Sequence, residues 1–291
     1  MVAAPFEYVA AGSYAEAVRL LSDHGEDAKV LAGGQSLMPM LNLRLARPGL
    51  LIDINAADAR PPSVSGGTLA LPALTRHRVL LEHDLIRQHC PLLAEAVRHV
   101  GNVRVRNRGT VGGSLAHADP TSEIGCCAVA TAAAVTVHGP GGERTIPAAD
   151  LFAGYWSTVL EESDVITDLM IPVRGTRQGW SFQEMVRRTS DFAIVAVAVL
   201  VQLDERADVI TGARIALAGV ADRVMLANPD LVARLTGGTG EAADSVAAAI
   251  ADSVQPPSDL HASGSYRQRL TAVLTARALR HAYAGAAGGP A

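Results

Sequence analysis

The chain has 291 residues, 49% of them hydrophobic and 19% charged, so it holds enough apolar material for two domains of ordinary size. Its formal net charge of -4 gives no electrostatic reason to expect nucleic acid or an anionic membrane as partner. The three cysteines Cys90, Cys126 and Cys127 cannot build a disulfide framework or a zinc knuckle, and they fall short of the four thiolates an iron–sulfur cluster normally takes.

No basic region followed by an apolar run opens the chain between Met1 and Tyr8, and the longest apolar stretch, Ala193 to Val201, is too short to span a bilayer. The expectation is a reduced, cytoplasmic protein. Ser13-Tyr-Ala-Glu16 reads as a capping box with Ala17, Leu20 and Leu21 on one helical face, and Gly25 as the stop. A strand over 29–32, the turn Gly33-Gly34, a helix begun at Ser36 and a strand over 50–54 complete a β–turn–α–β unit. A strand over 68–72, a helix over 77–83 and a helix from Pro91 to His99 follow. The segment 101–114, rich in Gly and Arg, shows no period, and Asp119-Pro120 reads as the N-cap of an Ala-rich helix. Gly139-Pro-Gly-Gly142 joins a hairpin. The domain boundary falls in 172–179, which separates residues 1–175 (subdomains 1–56 and 57–175) from 176–283. Strands are expected over 180–187, 194–203 and 212–220, helices over 242–253 and 266–281, and a loose tail over 284–291.

Two glycine turns stand out. Ala32-Gly33-Gly34-Gln35-Ser36 sits between a strand and a helix, where missing side chains and free backbone N–H groups favour a phosphate. The same pattern also serves a tight turn that binds nothing. Gly109-Thr110-Val111-Gly112-Gly113-Ser114 follows the arginines at 104, 106 and 108 and precedes Asp119, which reads as a helix cap or as an acceptor for ribityl or ribose hydroxyls. Neither turn is G-x-G-x-x-G or a P-loop. Two such turns suggest one extended two-phosphate ligand, a dinucleotide, without identifying it. The histidines at 77, 83, 89, 99 and 117 match no tight ligand set, so no metal is assigned.

Val30-Leu-Ala-Gly-Gly-Gln-Ser-Leu37 and Arg106-Asn-Arg-Gly-Thr-Val-Gly-Gly-Ser-Leu-Ala-His-Ala-Asp-Pro120 closely resemble the flavin-binding subunit of the xanthine dehydrogenase and carbon monoxide dehydrogenase family. Ala73-Leu-Thr-x-His77, Gly139 to Gly142 and Arg187-Arg-x-x-Asp-Phe-Ala-Ile-Val195 extend the resemblance, which runs from about Phe6 to His281. It implies an α+β fold: a vanillyl-alcohol-oxidase-like FAD-binding domain of two subdomains, then a smaller α+β domain. It also implies FAD with its diphosphate held by Ala32, Gly33, Gly34, Gln35, Ser36 and Leu37 on one side and Thr110, Val111, Gly112, Gly113 and Ser114 on the other. Asp119 and Glu123 look like the family's polar contacts to the cofactor. Leu160 is expected to pack on the isoalloxazine or adenine, and Arg188, in the motif with Arg187 and Asp191, to lie near the flavin. One departure concerns Glu184: many relatives carry a lysine or tyrosine just ahead of the Arg pair, where this chain has Phe182-Gln-Glu-Met-Val186.

The role implied is electron transfer rather than substrate hydroxylation, so no general acid or base is named. The implied partners are an iron–sulfur small subunit and a molybdenum-cofactor large subunit, in a hetero-oligomer expected to be a dimer of heterotrimers. An external acceptor takes the electrons. A self-sufficient flavin oxidoreductase and a non-enzymatic cofactor-holding module are the rival readings.

Overall fold

The computed structural model describes residues 3–288, in three successive α+β units. The first contains β1 (Glu7–Ala10), α1 (Tyr14–His24), β2 (Ala28–Leu31), α2 (Leu37–Asn42) and β3 (Leu50–Asp53). Its strands are parallel in the order β1-β3-β2, with Val9 and Val30 both level with Ile52. Parallel pairing follows from the helical crossovers, which return the chain to the same edge. The capping box forms: Glu16 N–H donates to Ser13 Oγ at 3.1 Å, and the Glu16 carboxylate accepts Gly12 N–H at 2.8 Å. Ala17, Val18 and Leu21 of α1 are buried.

The second unit holds β4 (Ser63–Ser65), β5 (Thr68–Pro72), α3 (His77–Glu82), α4 (Asp84–His89), α5 (Pro91–Ala96), α6 (Val103–Arg108), α7 (Val111–His117) and α8 (Glu123–Ala130). It continues through β6 (Ala134–Gly139), β7 (Gly142–Pro147), α9 (Ala148–Leu151), β8 (Phe152–Gly154), β9 (Ser157–Thr158) and β10 (Val165–Pro172). The five-stranded sheet runs β4-β5-β10-β6-β7, all antiparallel. Two sequence expectations are corrected here. The segment 101–114, read as aperiodic, holds the helix α6 and the first half of α7, capped by Asn102 and Thr110. Asp119 does not cap α8: Ser122 does, its Oγ accepting Gly125 N–H at 3.0 Å. Asp119 closes the turn before it, its Oδ1 accepting Thr121 N–H at 2.8 Å and Thr121 Oγ1–H at 2.7 Å.

The third unit comprises β11 (Gln178–Val186), β12 (Ala193–Leu203), β13 (Ile210–Ala218), β14 (Met225–Leu226), α10 (Pro229–Val232), α11 (Ala243–Ser253) and α12 (Gly264–Ala286). The strands form an antiparallel sheet in that order. β12 is buried on both faces, and its period of two sorts side chains by size. Ala196 and Ala198 join the core of the second unit, with the helix α8. Val195, Val197, Val199 and Val201 join a separate core with α11 and α12. Gly179 of β11 marks the closest approach of α12, because a Cβ there would overlap the Ala282 carbonyl.

Links between the second and third units are polar as well as apolar. Gly219 N–H donates to Pro120 O at 2.8 Å, and Arg214 donates to the Ala130 and Val129 carbonyls, both at 3.0 Å. The expected loose tail is also corrected: residues 284–286 complete α12, and Ala286 is buried. Residues 289–291 of that expectation lie outside the described residues. No helix among the described residues is long and apolar enough to cross a membrane.

Candidate functional site

The two glycine turns meet backbone to backbone. Gly33 is buried, and a Cβ built on it would overlap the Arg108 carbonyl and sit 2.9 Å from Gly109 Cα. Only a glycine lets these chains touch. A Cβ on Gly113, the exposed glycine of the second turn, would lie 4.0 Å from Ala32 Cβ. The structure therefore joins segments more than seventy residues apart in sequence into one wall.

The two turns offer different chemistry. Among the described residues, the backbone N–H groups of Gly33, Gly34, Gln35 and Ser36 donate to no protein acceptor. Their neighbouring carbonyls are held: Asn55 Nδ2 donates to Ala32 O at 2.9 Å, and Gln35 Nε2 donates to Gly33 O at 3.1 Å. Gly34 has φ +72°, which turns the chain so that successive amides converge. Ser36 occupies the N-cap position of α2, but its hydroxyl makes no capping bond. Leu37 opens that helix. Leu31, Gly33, Gly34, Gln35, Met38 and Arg108 are among the residues lining a groove of about 470 Å³ over this loop.

At the second turn the amides are already used. Val111 N–H donates to Thr75 O at 3.0 Å, Gly112 N–H to Ala73 O at 2.8 Å, and Gly113 N–H to Thr110 Oγ1 at 3.2 Å. Gly112 is glycine because Ala73 lies against it: a Cβ would sit 2.5 Å from Ala73 Cβ. What this turn presents is its exposed face, Gly113 and the half-buried Ser114.

Side chains that the sequence reading did not single out tie the wall together. Tyr8 OH and both Asn55 nitrogens donate to Asp53, at 2.7 to 2.8 Å. Asn55 Oδ1 accepts from Arg76 at 2.6 Å, and Arg76 also donates to the Arg108 carbonyl. Arg76 is the unassigned residue inside Ala73-Leu-Thr-x-His77, and Asn55 follows the strand β3, so the signal was position rather than motif. Burial and the Arg108 charge pull Arg76 downward from its usual range; of the two arginines, Arg108 lines the groove, where its charge favours an anion. His77 is buried beneath the second turn. Its Nε2 lies 3.0 Å from Thr110 O, so Nε2 carries the proton, and burial lowers its pKa to about 4.

The remaining residues lie further along. Asp119 spends Oδ1 within the chain, and its second oxygen accepts no hydrogen bond among the described residues. Ser114 Oγ is 3.3 Å from Ser122 Oγ, which places Glu123 one residue from the second turn. Leu160 is half-buried against the core of the second unit, next to the strand β9, which packs on α7. Arg188 is exposed and pairs with Asp191 at 3.6 Å in the loop between β11 and β12; no contact brings it to the glycine turns.

The arrangement fits a dinucleotide. One loop supplies free amides, a cation stands beside it, and the opposing turn offers a side-chain-free face with hydroxyl and carboxylate acceptors beyond. Comparison with known proteins agrees. Residues 4–174 match the FAD binding domain in molybdopterin dehydrogenase, and residues 180–282 match the CO dehydrogenase flavoprotein C-terminal domain. The chain is 37% identical to the 6-hydroxypseudooxynicotine dehydrogenase complex subunit alpha of Paenarthrobacter nicotinovorans, covering 95% of this chain and 94% of that one. A carbon monoxide dehydrogenase structure from Hydrogenophaga pseudoflava superposes with TM-score 0.93 at 36% identity, over 98% of this chain and 99% of that one. Quinoline 2-oxidoreductase from Pseudomonas putida 86 superposes with TM-score 0.92 at 32% identity, with the same coverage. With both domains matched and relatives covered nearly end to end, the chain belongs to the FAD-binding medium subunits of the molybdenum hydroxylases, the family of carbon monoxide dehydrogenase and xanthine dehydrogenase.

Proposed function

We propose that FAD lies extended across the joint between the two glycine turns, with its diphosphate on the amides of residues 33–36 and beside Arg108. In this reading Ala32 and Leu37 bound the first loop, and Thr110, Val111 and Gly112 set the backbone of the second. Gly113 and Ser114 face the ligand, Asp119 and Glu123 meet its polar groups, and Leu160 packs on a ring. Arg188 reaches the flavin only if its loop folds inward. The observation that carries the reading is the run of four unpartnered amides beside a guanidinium.

As the electron-transfer subunit of a molybdenum hydroxylase, the chain is an oxidoreductase component. FAD, when bound, supplies the redox chemistry; the protein's part is to bind, orient and tune it. The finer role is to take electrons from an iron–sulfur small subunit, itself fed by a molybdenum-cofactor large subunit, and to release them to an external acceptor. The assembly is read as a dimer of heterotrimers in the cytoplasm, a setting that suits three free, buried thiols.

Purified alone, the chain should be yellow, with one FAD per chain and no stoichiometric iron, and it should not oxidise the organic substrate of its complex. Co-expression with the small and large subunits should give stable co-elution and flavin reduction on adding that substrate. Substrate turnover by the isolated chain would instead mark a self-sufficient oxidase.

A further inference from the structure

A cluster of ionisable groups occupies the seam between the FAD-binding and C-terminal domains, and cofactor binding accounts for only one of them. His99, just after α5, places Nδ1 3.0 Å from Glu184 Oε1 on β11 and leans on Phe182, with ring centroids 5.4 Å apart. The Glu184 side chain is only 5% exposed, and its Oε2 is buried with no hydrogen-bond partner. Glu123, in the first turn of α8, faces Glu184 from the other domain and feels the charges of Glu184, Asp119 and His99. Glu95 of α5, Arg98 just after that helix and His281 of α12 complete the charged surroundings, with Gln183 Nε2 3.5 Å from His281 Nδ1.

Two carboxylates enclosed together cannot both stay charged without cost. Burial and the neighbouring carboxylates push Glu123 up to about 7. Hydrogen bonding to Glu184 raises His99 as well. The His99 side chain is 40% exposed and Glu123 is half-buried, so His99 connects the enclosed Glu184 carboxylate to water. Ser122, which precedes Glu123, touches Ser114 of the second glycine turn. The pair therefore lies close to the proposed cofactor path, behind an interior that screens charge poorly.

We propose that His99, Glu184 and Glu123 form a proton-binding site in the domain seam that takes up one proton from solvent as electrons arrive on the flavin. This rests on the FAD reading above. Two electrons come from the iron–sulfur partner; a flavin that takes them up with one proton of its own gains one net negative charge, and a second proton, entering through His99 and held within the His99–Glu184–Glu123 cluster, offsets it. That second proton makes no bond to the flavin. The proton returns to water by the same route when the electrons leave. The residues act as positioning and tuning groups, through space.

The test is potentiometric titration of the flavin in the FAD-loaded subunit, followed by absorbance, from mildly acidic to mildly alkaline buffer. Near neutrality the wild-type midpoint should fall with pH more steeply than in Glu123→Gln or Glu184→Gln. The seam's extra proton per two electrons adds about 30 mV per tenfold change in proton activity to the slope that the flavin's own proton gives, and both variants should lose that added component. Infrared difference spectra of the wild type should show a protonated carboxyl gained on reduction, and this serves even if one variant folds poorly. Equal slopes in wild type and both variants, or no carboxyl band, overturn the proposal. A chain that purifies without flavin overturns the underlying cofactor reading instead, so the two failures are distinct.

Discussion

At Gly33 a methyl group would strike the Arg108 carbonyl and Gly109, whereas at Gly113 it would press on the Thr110 hydroxyl, 2.7 Å away, and lie at van der Waals distance from Ala32. The missing side chains at Gly33 and Gly112, read in the sequence as room for a phosphate, leave room for protein instead. Both are glycine because protein lies against them, and neither has a positive φ. Gly33→Ala and Gly112→Ala should lower the thermal midpoint and flavin content together. Gly113→Ala, which must push aside the capping hydroxyl of Thr110 but meets no backbone, should lower the midpoint less than either and release flavin about tenfold more readily, measured by fluorescence of freed flavin. Equal losses of stability in all three would remove the distinction. His77 adds a pH dependence. Its folded pKa of about 4 lies below the unfolded value of 6.5, so the neutral form belongs to the folded state. Its contribution is present above pH 6.5 and is lost as pH falls toward 4. That shift corresponds to at most about 3 kcal/mol, and the second turn should loosen with it. His77→Gln, which keeps a donor for Thr110 O, should flatten the acid limb of the stability curve seen by circular dichroism.

Helices and strands were legible where their period was clean. The antiparallel hairpin over 134–147, the strand over 68–72 and the long strands of the third unit were read to within two or three residues of their ends. The short helices α6 and α7 were not, because paired glycines and alternating arginines mask a helical face, and tertiary bonds from Ala73 and Thr75 supply what local propensity lacks. β10 was missed because it is buried along most of its length and so lacks alternation. The helix α8 ends with its last two carbonyls accepting N–H donors from Arg214 of β13. That bond joins elements of different domains and satisfies two helix-end acceptors at once. Arg214→Met should cost about 1–3 kcal/mol and split or broaden the single calorimetric transition expected of the parent. An unchanged, single transition would show that the apolar faces alone couple the domains.

For the whole molecule, the sequence carried the family and both glycine turns, since those rest on contiguous residues. It did not carry how they combine. Nothing local indicates that Gly33 rests on Gly109, that Asn55 and Arg76 brace the joint, or that His99 meets Glu184 across a domain boundary. Each is a long-range contact created by the fold, and each involves a residue type common on any surface. The alternating Ala and Val of β12 were visible as apolar content, but which face takes which helix depends on the partner layers.

The backbone contact at Gly33 bears on the order of events during maturation. The cradle's two rims are fastened by protein contacts alone, so the empty subunit should keep its shape and act as a vessel waiting to be filled. Flavin would then enter a finished shell as a late passenger, through the open groove beside Arg108. A cell short of riboflavin should accumulate folded, colourless subunit that remains ready to be charged, rather than misfolded debris.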